Sequence, residues 1–490
     1  MTTPFDALMA FERETQALGA IAGRLGWDQE TMMPPGAALQ RGEEMAAMEG
    51  VLHARQTDPR IADWLDLAQA PDAAGAANLR LIRRRFDRAS RVPAALAAEI
   101  ARVTSVAQGV WAQARRAEDV AGFLPTLAHV VRLRREEGAA LAQGGDPYDA
   151  LVDGYEPGMT SARLGAMLGA LRPRLVALRE RLRTAPPAPA LQGNFPQAGQ
   201  LEMSRRVAGA FGYDFARGRI DLAVHPFSSG GGNDVRITTR TSPSDPFNCI
   251  YSTIHEVGHA AYEQGVDAAY LFTPVGCGVS MGVHESQSRI YENQLGRSRA
   301  FTGWLYDQMR TVFGDFGIAG PDDFYRAVNR VFDNPIRTEA DEVQYNLHIL
   351  MRFDLERALM HGDLQVGDLE SAWNDRFRAD FGFAPAAPSQ GVLQDVHWPV
   401  GLFGYFPTYA LGNVYAGCLH QALRAALPDL DGDLARGDTS RATAWLHDNL
   451  QRHGGLNDPQ TTIARVIGSD PGETPLLDYI ETKFTGLYPV

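Results

Sequence analysis

Apolar residues recur every three to four positions along most of this chain, the spacing of amphipathic helices. Successive helices are predicted from the start to about residue 182. The stretch PAALAAEIARVTSVAQGVWAQARR, residues 93–116, combines strong helix formers with that period. Pro93 suits the first turn. The pattern breaks at residues 183–196, RTAPPAPALQGNFP, where Pro and Gly cannot continue a helix. Residues 219–227 (RIDLAVHPF) and 234–240 (DVRITTR) are instead rich in β-branched residues, with SSGGGN between them. They predict a β-hairpin with a flexible loop, Pro226 at a strand end or edge. Helical patterning returns at Ser244 and persists. The fold class is therefore mainly α with a small β element.

Within this last region, residues 252–265 read STIHEVGHAAYEQG. Asp245-Pro246 marks a helix start. Phe247, Ile250, Tyr251, Ile254, Gly258 and Ala261 follow at helical spacing, so His255 and His259 lie at i and i+4 on one face. Two imidazoles so placed can bind one metal ion. Glu256 is rotated about 100° from His255, beside the site, where a base acting on metal-bound water belongs. With 12 histidines in 490 residues, HExxH arises by chance in about one chain in fifty of this composition. The bland alternative is a pair of core histidines bonded to carbonyls. A catalytic zinc needs a third protein ligand and an open position. Residues 281–296, MGVHESQSRIYENQLG, offer Glu285 on a second helical segment, with His284 as its neighbouring rival. The extended form HExxHxxGxxH is excluded, because no suitable residue follows His259.

Composition narrows the class further. The net charge of −13 and the absence of a dense basic run exclude nucleic acid as the expected partner. Clusters such as LIRRRFDR, residues 81–88, are solvated helix faces. No apolar run approaches the ~20 residues of a membrane helix. The N-terminus lacks a basic region followed by an apolar one, so a cytoplasmic location is the default expectation. Cys249, Cys277 and Cys418 are far apart and make no CxxC pair, so no disulfide framework is expected.

Several motifs in order resemble the carboxypeptidase Taq (M32) family of metallocarboxypeptidases. HEVGH is followed at the family's distance by HES, residues 284–286. HPF stands at 225–227, DVRITT at 234–239 matches DxRxT, IRTEAD stands at 336–341, and GVLQDVHW at 391–398 matches GxxQDxHW. LGWDQETMMPPGA, residues 25–37, is also typical.

The resemblance implies a deeply cleft helical metallopeptidase, similar to neurolysin-like and angiotensin-converting-enzyme-like peptidases, with a small sheet lining the cleft. It implies one catalytic domain over residues 1–490, the 183–196 loop being a candidate subdomain break. It implies Zn²⁺, with Co²⁺ as a possible substitute, on His255, His259 and Glu285, and Glu256 as the base of a zinc-bound water. His397 with Tyr405 or Tyr409 is implied at the oxyanion, by analogy with related zinc peptidases. Arg337 is implied at the substrate's terminal carboxylate, and His225 and Arg236 along the cleft or substrate backbone. The hairpin edge can pair with an extended peptide. Phe403 and Phe406 are read as core. Asp234 and Asp341 are read as buried partners of nearby arginines, and Asp395 as a partner that orients His397 or as a structural residue.

The function implied is release of single C-terminal residues from peptides, by a homodimer as is usual in the family. An oligoendopeptidase or dipeptidyl carboxypeptidase on the same scaffold is the alternative. A non-catalytic zinc-stabilised binding protein is the third reading.

Overall fold

The apolar period folds as expected: among the described residues helix makes up 69% and strand 3%. A computed structural model of the chain describes residues 2–488. The chain forms two units. One comprises the residues up to Ser90, Ala188–Val328 and Leu419–Asp470. The other comprises Arg91–Pro187, Asn329–Cys418 and the residues from Pro471 on. One boundary thus falls at Pro187–Ala188, inside the 183–196 stretch. Among the described residues no helix is long and apolar enough to cross a membrane.

In the first unit, helix Pro4–Thr31 opens with a capping box. The Thr3 hydroxyl accepts from the Asp6 N–H, and the Asp6 carboxylate accepts from the Thr3 N–H. Its Leu8 packs with Ile61, Leu65 and Ile82 in a buried cluster. Helix Ala38–Gln56 buries only Leu52 and leaves Leu39 89% exposed.

The unit's sheet differs from the expected hairpin. It has three strands, β1 (Ile220–Leu222), β2 (Ser228–Gly231) and β3 (Asp234–Thr239), in the order β1-β3-β2. β3 pairs parallel with β1 and antiparallel with β2. The hairpin is therefore β2–β3, and most of the stretch expected as a flexible loop is itself an edge strand. Gly230 and Gly232 have φ of +101° and +61°, which few other residues adopt. A Cβ at Gly230 would meet the Asp234 carbonyl oxygen at 2.0 Å. Glycine here serves a tight turn. β3 buries Val235 and Ile237, and the Thr239 hydroxyl donates to the Cys249 carbonyl, tying the sheet to the next helix.

That helix, Pro246–Gly265, begins where the sequence indicates: the Asp245 side chain accepts from the Phe247 N–H and Pro246 occupies the first turn. Helix Met281–Arg289, capped by Ser280, packs along it and continues as a π-helical turn, Ile290–Gly296.

In the second unit, helix Glu342–His361 is buried on nearly every side, the polar Gln344, Asn346, His348, Arg352 and Glu356 included, with Leu347, Ile349, Met351 and Leu359 fully inside. Asp341 caps it by accepting from the Val343 and Gln344 N–H groups. The expected arginine partner for Asp341 is thus replaced by a helix terminus, whose unpaired N–H groups attract a carboxylate.

Candidate metal centre

Position 258 brings the two helices of the first unit together. A Cβ there would meet the Gln287 carbonyl oxygen at 2.5 Å and Ser288 Cα at 2.6 Å, so only glycine allows this approach. Across that contact, the ligand atoms of His255, His259 and Glu285 lie within 4.8 Å of one another. Glu285 Oε2 is 3.7 Å from His255 Nε2 and 3.4 Å from His259 Nε2. Donors on one tetrahedral ion with ~2.0–2.1 Å bonds stand roughly 3.3 Å apart, so the pocket is close to the size of a zinc site. Two imidazole nitrogens and one carboxylate oxygen also match zinc in chemistry.

The atoms that do not face this point are held elsewhere. His255 Nδ1 donates to Glu292 Oε2 at 2.9 Å, and Glu292 is in turn paired with Arg297 at 3.0 Å. Glu285 Oε1 accepts from Arg289 Nε at 2.7 Å, while Oε2, the oxygen that faces the point, also accepts from the Ser288 hydroxyl at 3.1 Å. Burial alone would raise the Glu285 carboxyl, but Arg289, His255 and His259 reverse this and hold it well below the usual carboxylate range. Burial pushes His259 down to about 4, so it stays neutral at pH 7 and can ligate. Glu256, 6% exposed, is pushed up to about 7 by burial.

His284, the rival of Glu285, uses both ring nitrogens on protein partners, His259 Nδ1 at 2.7 Å and Glu263 Oε1 at 2.9 Å. Glu292, Glu263 and Arg289 were not among the predicted site residues. The signal for them was helical periodicity: Glu263 follows His259 by four, and Arg289 and Glu292 follow Glu285 by four and seven.

Elsewhere in this unit, His225 is exposed between β1 and β2. Arg236 forms two hydrogen bonds with Asp234, at 2.7 and 3.0 Å, and its guanidinium lies 4.5 Å from the Trp27 ring. Arg24 also donates to Asp234, at 2.9 Å.

The remaining predicted residues belong to the second unit. Arg337 is 7% exposed. Its Nε and Nη2 donate to Asp395 Oδ1 at 3.0 and 2.8 Å, and its Nη1 to the Tyr345 hydroxyl at 3.3 Å. Asp395 also accepts from Arg352 Nε at 2.7 Å. Asp395 therefore orients arginines. His397 Nδ1 stands 3.9 Å from it, beyond hydrogen-bond reach. Burial would raise the Asp395 carboxyl, and Arg337 and Arg352 hold it far below its usual range.

His397 stacks on Phe406, with ring centroids 4.3 Å apart, and its Nε2 lies 3.2 Å from the Tyr409 hydroxyl. Burial pushes His397 down to about 3, leaving it neutral at pH 7. Tyr405 packs edge-on against Tyr409 and Tyr155. Phe403 and Phe406 are buried in the core.

Comparison with known proteins gives one consistent result. A model of the family described as carboxypeptidase Taq (M32) metallopeptidase matches residues 7–484. Thermostable carboxypeptidase 1 of Thermus thermophilus is 42% identical, with 99% of each chain covered. Carboxypeptidase 1 of Bacillus subtilis is 33% identical over 99% of this chain and 98% of its own. The crystal structure of the M32 carboxypeptidase from Deinococcus radiodurans R1 superimposes with a TM-score of 0.97 at 40% identity, covering 99% of this chain and all of the other.

Proposed function

The chain belongs to the carboxypeptidase Taq (M32) family of metallopeptidases and is a metallocarboxypeptidase, and from that premise we propose a zinc-dependent enzyme that releases single C-terminal residues from peptides. The observation that carries this reading is the convergence of His255 Nε2, His259 Nε2 and Glu285 Oε2 beside the buried Glu256. A Zn²⁺ held there supplies Lewis acidity, polarising the scissile carbonyl and lowering the pKa of the attacking water to about 7. Co²⁺ is the alternative ion for the same donors.

Glu256 takes a proton from the attacking water and passes it to the leaving amine. Its raised affinity for a proton suits both tasks at neutral pH. Arg337 reads the substrate's terminal carboxylate. Its three bonds engage one N–H on each nitrogen, which leaves one N–H on each of Nη1 and Nη2 for a bidentate contact. His397 and Tyr409 are the oxyanion donors; their mutual bond supports choosing Tyr409 over Tyr405. For Arg236, the ion pairs with Asp234 favour a role in shaping the surroundings of the sheet. His225 is an exposed candidate for substrate contact.

The family model spans both units, which supports one catalytic domain. A cytoplasmic homodimer is our further reading. Leu39, 89% exposed on helix Ala38–Gln56, is the residue whose replacement probes such an assembly. Light scattering of the wild type and of Leu39→Glu tests it.

The function is tested by mass spectrometry of products from an unblocked peptide of about ten residues, with and without a chelator. A chelator-sensitive ladder losing one C-terminal residue at a time is expected. Released dipeptides or internal cuts would overturn the single-residue reading.

A further inference from the structure

We infer that Glu263, His284 and His259 form one directed hydrogen-bond relay, in which His284 is a positioning residue that makes His259 present a lone pair at Nε2; this rests on the metal reading above. The direction follows from its outer end. Glu263 Oε1 accepts from the Gly278 backbone N–H at 2.9 Å, so this oxygen is an acceptor. His284 Nε2 lies 2.9 Å from the same oxygen and therefore carries the hydrogen. A neutral imidazole with hydrogen on Nε2 has its lone pair on Nδ1. His284 Nδ1 is 2.7 Å from His259 Nδ1. One hydrogen lies between those nitrogens, and it belongs to His259. His259 Nε2, the atom 3.4 Å from Glu285 Oε2, is then left with a lone pair. The opposite direction would put a hydrogen on that atom and close it to a metal.

Packing holds the relay in place. A Cβ at Gly278 would meet His284 Cδ2 at 2.7 Å, Tyr262 Cε1 at 3.0 Å and Glu263 Oε1 at 3.2 Å. The Tyr262 ring packs beside His284, 5.2 Å between centroids. Both ring nitrogens of His284 are engaged, one with His259 and one with Glu263, so a turned ring would forfeit both hydrogen bonds. His284 is thereby excluded as a fourth ligand, which keeps a coordination position open for water. The two histidine ligands also differ. His255 donates straight to a carboxylate, Glu292, whereas His259 reaches its carboxylate through a second imidazole.

The test uses two nearly isosteric substitutions. In His284→Asn the amide oxygen stands near the place of Nδ1 and keeps the acceptor for His259. In His284→Gln the amide reaches toward Glu263 but leaves His259 Nδ1 without its acceptor. Zinc affinity is measured by competition with a chromogenic chelator, and thermal stability on the metal-free proteins. His284→Gln is expected to weaken zinc binding about 10–100-fold, the range for such outer partners, and His284→Asn less than about fivefold. The metal-free proteins are expected to melt together, since a merely structural role would not separate the two variants. Equal affinity in both variants, whether lost or retained, overturns the relay. Should both variants misfold, Glu263→Gln, which keeps an acceptor oxygen, is compared with Glu263→Ala, and equal affinities again overturn it. A wild type that fails to hold zinc is a different result: it removes the metal reading itself.

Discussion

Gly258 lies against the backbone of Gln287, where an added Cβ would stand 2.5 Å from the carbonyl oxygen. Backbone cannot yield as a flexible side chain does, so Gly258→Ala must push helix Met281–Arg289 away from its neighbour. Overpacking of this kind costs about 1–3 kcal/mol. Glu285 rides on the displaced helix, so zinc affinity is expected to fall together with the melting temperature. An alanine variant that binds zinc as the wild type does would show that the close approach does not set the ligand spacing.

Glu256 stands next to His255 in sequence, and its role is separable from ligation. Glu256→Gln keeps the shape and removes the proton acceptor. Hydrolysis is expected to fall about 10²–10⁴-fold, the usual contribution of a positioned base. Zinc content, measured by atomic absorption, is expected to stay at the wild-type level. Retained activity in the metal-loaded variant would refute the assignment.

Arg337 is tested by changing the substrate as well as the enzyme. The wild type should cleave a free-acid peptide far better than its C-terminal amide. A charge-assisted hydrogen bond contributes about 1.5–3 kcal/mol, so Arg337→Gln should reduce that preference by about tenfold to a hundredfold. kcat/KM for the amide should change much less than for the acid. Equal losses on both substrates would mean that Arg337 only supports the structure through Asp395.

Much of this was legible in the sequence because the controlling interactions are local. The Asp-Pro start and the apolar period define helix Pro246–Gly265, and the same period puts His255 and His259 on one face. The third position was not readable from spacing. His284 and Glu285 point about 100° apart on their helix, and which one turns an atom toward His255 Nε2 and His259 Nε2 depends on the register set at Gly258. The family motif, not the periodicity, singled out Glu285. Likewise Asp341 reads as the partner of a nearby arginine, and Asp395 as a residue that orients His397 or is structural. Their partners, a helix terminus for one and two arginines from distant segments for the other, are fixed only by the folded chain. β2 was missed because Ser and Gly weigh against strand, although Gly230 and Gly232 supply the backbone angles the hairpin needs.

His348 predicts a pH dependence of stability. It is fully buried, packed 4.6 Å from the Phe381 ring. Burial first, and then the charges of Arg352 and Arg337, hold it well below its ordinary value, with Asp395 opposing. The folded protein thus keeps His348 neutral where the unfolded chain takes up a proton. Its contribution is fully present above pH ~6.5 and is lost as pH falls, at up to about 1.4 kcal/mol per pH unit. In His348→Leu this component is absent. Urea unfolding between pH 7.5 and 5.5 should show the wild type losing stability relative to the variant as pH falls. Parallel curves would indicate that His348 titrates normally in the fold.

Lys483 is the only lysine in the chain, and it is buried. Its Nζ donates to Glu342 and to the Tyr479 hydroxyl, and the side chains of Lys483 and Glu342 are only 5% and 8% exposed. A chain that otherwise uses arginine keeps here a compact charge whose donors can be aimed separately, where a planar guanidinium would need more room. Two consequences can be measured. In the folded protein an amine-reactive reagent should leave Lys483 untouched until denaturant is added. Lys483→Met should destabilise by about 3–5 kcal/mol, because it leaves the Glu342 carboxylate buried without its cation. Adding Glu342→Gln should recover part of that loss, since the second change removes the uncompensated charge. If the double variant is as unstable as the sum of the singles, the two residues act independently, and the pair is held by packing of the lysine stem rather than by its charge.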